Sequence, residues 1–142
     1  MTDVLRPQDL KKIADDAEMA VIQAQLKNQK KAEDEQTQLR EAFMSREIHP
    51  EAAGRINAAV RRAAEAGRSE IQVFTFPASF CNDQGRRINN SDPDWPQSLE
   101  GFAKKAYEYF EEKLLPLGYR MRVQILNYPG GMPGEVGVFL GW

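Results

Sequence analysis

YRMRVQILNYPGGMPGEVGVFLGW, residues 119–142, decides how this chain must fold. Tyr119, Met121, Val123 and Ile125 alternate with Arg120, Arg122 and Gln124, the period of a strand with one dry and one wet face. Val136, Val138, Leu140 and Trp142 alternate with Gly137, Phe139 and Gly141 in a second strand. Between them Pro-Gly occurs twice, at 129–130 and 133–134. Each pair suits the centre of a type II turn, where proline's fixed φ comes first and a positive φ second. The stretch predicts an antiparallel hairpin with a wide, stiff loop.

Upstream, Leu99, Phe102, Ala103, Ala106, Phe110 and Leu114 mark an amphipathic helix over about 95–115, stopped by Pro116 and Gly118. Residues 71–76, Ile-Gln-Val-Phe-Thr-Phe, are β-branched and aromatic and end at Pro77. Apolar groups on both faces predict a well-buried strand. His49-Pro50-Glu51 opens a helix over 50–66, with proline in the first turn and an acid at the positive end of the dipole. Its face is mostly alanine, which permits close approach of a helix or sheet, and Gly67 ends it. A strand–helix–strand unit crosses right-handed, so strands one and two should be parallel. The predicted class is α+β: a helical arm over 1–47, then a compact domain over 48–142 with a small mixed sheet of three to four strands and helices packed on one face.

The arm reads as helix over 9–46, its start capped by Asp9 or Thr2. Leu10, Ile13, Ala17, Ala20, Val21 and Ala24 share one face, and the apolar face returns at Leu39, Ala42 and Phe43. Residues 28–38, NQKKAEDEQTQ, hold one apolar residue and no helix breaker. They fit a solvated helix supported by i,i+3 and i,i+4 charge pairs. The alternative is two helices with a joint near 30–37. One continuous helix would span about 57 Å, so the arm must project, pair with another chain or fold back.

The totals narrow the function. Net charge is −2 over 142 residues, which argues against a general nucleic-acid binder. One cysteine rules out an internal disulfide and a cysteine-based zinc cluster, and one histidine rules out a multi-histidine metal site. The first residues show no signal-peptide pattern, and no apolar window reaches transmembrane length. A soluble cytoplasmic protein without cofactor or metal is the expectation.

The chemically richest segment is FCNDQGRRINNSDPDWP, residues 80–96. Cys81 with His49 is the nucleophile reading, since a reactive thiolate needs a neighbouring histidine or helix N-terminus. No cysteine-enzyme signature surrounds it. Asn90, Asp92 and Asp94 imitate the first ligands of a calcium loop, but Trp95 and Gly101 stand where glycine and glutamate are required. Capping explains the same residues, with Ser91 and Asp94 in the form of a capping box. Gly85 suits a tight turn that sets Phe80-Cys81-Asn82 against Arg86-Arg87-Ile88 as short strands. Arg86 and Arg87 could clamp an anion bidentately, with Arg120 and Arg122 as a second anion or nucleic-acid surface. Ion pairing of the first two with Asp83, Asp92 or Asp94 is the simpler role.

No catalytic constellation emerges. The expected function is protein–protein contact, either self-association or partner binding, through Leu10, Ile13, Ala17, Val21 and Ala24. Loops 81–94 and 128–134 would present further contacts, Tyr128 and Met132 among them.

Overall fold

A computed structural model describes residues 3–142. Helix α1 (Pro7–Ser45) is followed by α2 (Ala52–Glu65), β1 (Glu70–Pro77), the short α3 (Arg86–Asn89), α4 (Gly101–Tyr109), β2 (Arg120–Ile125) and β3 (Glu135–Gly141). Residues 1–41 and 42–142 form two compact units, so the last turn of α1 belongs to the second.

The first unit is α1 through Glu41. The helix is continuous for 39 residues, without the joint considered near 30–37. Lys30 and Lys31 stand four residues before Asp34 and Glu35 in its polar middle, a spacing that places opposite charges on neighbouring turns. Asp9 acts at the start, its Oδ2 accepting the Arg6 backbone N–H at 3.3 Å. Thr2, the other cap expected, lies outside the described residues.

The second unit is built on a three-stranded sheet in the order β1-β3-β2. Both seams are antiparallel, so the sheet is not mixed. β1 and β2 run the same way, as a strand–helix–strand unit requires, but β3 lies between them. The hairpin places β3 beside β2, and β3 fills the gap left by the crossover. Along β3, Val136, Val138 and Leu140 are buried and face the core. Across the core face Val138 pairs with Phe74 on one side and Val123 on the other.

β1 is therefore an edge strand, and only one of its faces is dry. The register slips between Gln72 and Phe74, and Val73 is left as an exposed bulge. That bulge explains the apparent two-sided apolar pattern, because the extra residue moves Phe74 and Phe76 onto the same face as Ile71. On the wet face Arg122 of β2 reaches over Phe139 of β3, 4.3 Å from the ring centroid, to Glu70 of β1. Its Nη2 donates to Glu70 Oε1 at 2.7 Å and its Nε to Oε2 at 3.1 Å. This guanidinium holds the Glu70 carboxyl below the usual carboxylate range.

The hairpin loop follows the expected turn at one of its two Pro-Gly pairs. Gly130 has φ +64°, after Pro129, whereas Gly134 returns to the ladder, donating its N–H to the Asn127 carbonyl. The segment after β1 also departs from expectation. A 3-10 turn (Ala78–Phe80) and α3 replace the short strands, although Gly85 does turn the chain, at φ +81°. Asp83 is the reason: Oδ1 accepts from Gly85 N and Oδ2 from Arg87 N, which starts a helix rather than a hairpin. Ser91 caps nothing; it adopts φ +55°, and the Asp92 N–H returns to the Arg87 carbonyl.

The helix expected over 95–115 is broken twice. Trp95–Ser98 is a 3-10 turn, and α4 starts only at Gly101. At its far end α4 widens into a π turn (Phe110–Leu114) and then a 3-10 turn (Leu115–Leu117). Pro116 lacks the N–H that would continue the helix, and its ring displaces the carbonyl four residues earlier. Both α2 and α4 lie over the core face of the sheet.

An aromatic cluster centres on Phe43, in the last turn of α1. Its ring lies 5.4 Å from Phe76, 5.1 Å from Phe80 and 6.1 Å from Phe102. Gly101 lets this turn approach. A Cβ there would sit 2.7 Å from Met44 Cα, and its φ is +57°. Gly101→Ala should lower stability by about 1–2 kcal/mol from backbone strain alone, with a further loss as Met44 is displaced. Urea denaturation followed by circular dichroism checks this, and an unchanged midpoint would count against the close approach.

Candidate functional site

A groove of about 1010 Å³ lies in the second unit between α2 and α4, over the core face of the sheet. Ile71 and Phe74 of β1, Met121 of β2 and Leu140 of β3 form its floor. Ile56, Ala59 and Ala63 of α2 make one wall; Phe102, Ala106, Phe110 and Leu114 make the other. The alanine face of α2 produces this space. Alanine side chains are too short to reach across, and only Ala63 of α2 is buried. The groove was not foreseen in the sequence, since its floor and walls come from five separate elements. The unusual alanine content of residues 52–64 was the signal.

The rim is charged. Arg46 stacks over Phe102, 4.2 Å from the ring centroid. Arg55 bonds through Nη2 to the His49 ring at 3.3 Å, and the other ring nitrogen of His49 accepts the Glu51 N–H at 3.0 Å. Arg62 and Arg68 complete this side. Two acids also line the groove, and each already has a cation: Glu47 with Lys105 at 2.8 Å, and Glu70 with Arg122 at 2.7 Å.

The two loops singled out in the sequence meet. Tyr128 Oη donates to Asn89 Oδ1 at 2.8 Å, and the Ala78 N–H donates to the Gly134 carbonyl at 2.8 Å. Gly85 packs beside Pro133. Tyr128 and Met132 are both more than half exposed, so the junction presents an aromatic ring and a thioether to solvent.

The arginines differ in availability. Arg87 is engaged by Asp94 at 3.3 Å, Asp83 at 3.7 Å and Asn82 Oδ1 at 3.3 Å. Arg122 is engaged by Glu70 and by Gln124 Oε1 at 2.6 Å. Arg86 and Arg120 are exposed, one on α3 and the other on β2. Thus each arginine pair has one member already held by a carboxylate, and a bidentate clamp by both members would first have to break that bond.

Cys81 is buried among Ala78, Ile88, Leu99 and Val136. Burial first, and the Asp83 carboxylate second, push its thiol from 9.0 to about 11. His49 stands on the rim of the groove and bonds to Glu51 and Arg55. Among the described residues no group of three or more His, Cys, Asp or Glu is placed to hold a metal.

In the first unit, Leu10, Ile13 and Val21 are each more than half exposed, and no residue of α1 is buried. A second apolar stripe went unnoticed in the sequence. Met19, Ile22 and Leu26 follow Leu10, Ile13 and Ala17 by nine residues each, two and a half helical turns. They therefore lie on the opposite side of the helix, and they are comparably exposed. Searching for two stripes rather than one would have found them.

Cys81 in the folded chain should react with iodoacetamide at pH 7.5 far more slowly than a free model thiol, and at the model rate in denaturant. The raised thiol value means that the neutral form's stabilisation is complete below pH 9.0 and is lost as pH rises toward 11. Equal rates in folded and unfolded chain would overturn the buried-thiol picture. Compared with protein-family models, with curated proteins and with solved structures, the chain matches none.

Proposed function

We propose that this protein acts by protein–protein contact, with α1 as a self-associating arm, and not by catalysis. The observation that carries the reading is the exposure of seven large apolar side chains on α1: Leu10, Ile13, Met19, Val21, Ile22, Leu26 and Leu39. Isolated helices draw little stability from propensity alone, and an amphipathic face normally supplies the rest by packing. Apolar surface of this extent on one helix calls for a partner. The partner proposed is a second copy of the same helix. Over residues 10–24 the stripe of Leu10, Ile13, Ala17, Val21 and Ala24 offers the three- and four-residue steps of a helix–helix seam.

The stripe of Met19, Ile22 and Leu26 sets the order of assembly. A two-helix seam would cover one side of α1 and leave the other in water. Helices in a closed bundle of three or four have neighbours on more than one side, which suits two opposed stripes.

Sedimentation equilibrium of the full chain at high micromolar concentration should give a mass above that of a dimer. Ile13→Glu and Ile22→Glu, on the two sides, should each weaken association by at least about tenfold, since each removes roughly 1.5–3 kcal/mol of burial. A monomeric wild-type chain at these concentrations would refute the proposal. A dimer sensitive only to Ile13→Glu would keep the seam and remove the higher order.

A further inference from the structure

We infer that the groove between α2 and α4 is a binding site for a single-chain amphipathic carboxylate, a free long-chain fatty acid. The inference concerns the second unit alone and does not depend on α1. Three observations converge on it.

The first is the character of the walls. Ile56, Ile71, Phe74, Ala106, Leu114 and Met121 are only partly buried, although all of them face the groove. They are carbon surfaces held apart by the short alanines of α2. The groove's volume of about 1010 Å³ lies at the upper end of the range typical of small-molecule sites. No buried side-chain nitrogen or oxygen among the described residues lacks a hydrogen-bond partner. The interior thus makes no demand for a polar ligand body. An extended peptide would leave its own N–H and C=O groups against carbon. An alkyl chain has no such groups.

The second is the sign of the rim. Arg55, Arg62 and Arg68 line the groove, and among the described residues none of them is ion-paired. Of the two carboxylates that line the groove, Glu47 is neutralised by Lys105, and Glu70 is held by Arg122 on the wet face of the sheet. The field at the mouth is therefore cationic, even though the chain as a whole carries −2. An arginine fork matches a carboxylate's two oxygens.

The third is placement. Arg55 and Arg62 are seven residues apart on α2, two helical turns, and so face the same way. Ile56, Ala59 and Ala63 turn their carbon toward the groove from the same helix. A ligand lying along α2 would meet carbon along its tail and a guanidinium at its head.

The test is calorimetric titration of the full chain with sodium dodecanoate below its micelle concentration, beside dodecyltrimethylammonium of equal chain length and beside acetate. Saturable binding of one dodecanoate per chain is expected, with at least about tenfold weaker binding of the cation and none of acetate. Ala59→Trp, which fills the groove, should abolish binding in a chain whose circular dichroism is unchanged. Arg55→Gln with Arg62→Gln, both at exposed positions, should weaken it by about tenfold. Arg61→Gln, off the rim and paired to Glu65, should leave it unaltered. No saturable binding, or equal binding of the cationic chain, overturns the inference. So does failure of dodecanoate together with a change of sedimentation mass in Ala59→Trp, which would assign the groove to a second copy of the chain.

Discussion

Every backbone pairing in the sheet runs through β3. Its buried Val136, Val138 and Leu140 are flanked on one side by Phe76, Phe74 and Ile71, and on the other by Ile125, Val123 and Met121. Remove β3 and no two strands of the sheet remain neighbours. The same strand keeps the two edges one strand apart, and Arg122 spans that separation over Phe139 to reach Glu70. The wet face is thus tied by one side chain across the strand that the dry face is built on. The floor of the groove inherits this order, since it draws Ile71, Leu140 and Met121 from three adjacent strands in one row.

Much of this was legible in the residues. Alternation from Tyr119 to Trp142 identified the hairpin because strand period is a local property, visible without knowledge of neighbours. The edge position of β1 was not legible. Ile71 to Phe76 reads the same in the middle of a sheet as beside a bulge, and only the insertion of β3 distinguishes them. The helix over 95–115 was located, but its breaks were not. Gly101 takes a positive φ to admit Met44, a residue 57 positions earlier, and no local pattern announces such a contact.

The candidate sites divide along the same line. Arg87 was expected to pair with nearby acids, and Asp83 and Asp94 do hold it, because those partners lie within one loop. The groove required five separate elements to converge and left only an indirect trace, the run of alanines from Ala52 to Ala64. The second stripe of α1 was present in plain sight. It was passed over because Met19, Ile22 and Leu26 interrupt what looks like a polar face when only one seam is sought. In both cases the informative feature was apolar surface without a covering, which sequence patterns reveal only by implication.

The order of strands also bears on how the chain reaches this structure. Ile125 pairs with Val136 across 11 residues, whereas Ile71 pairs with Leu140 across 69. Closing the longer loop costs about 1.6 kcal/mol more chain entropy, on the logarithmic dependence of closure on length. The hairpin is therefore the pairing that nucleates most cheaply, and β1 joins a ladder that already exists. Until it does, Phe74 and Phe76 have no sheet behind them and the groove has only the Met121 and Leu140 part of its floor. During that interval the β1 side of β3 is an open edge, ready to accept any extended segment, and the speed with which residues 70–77 close it sets the exposure of the chain to misassembly.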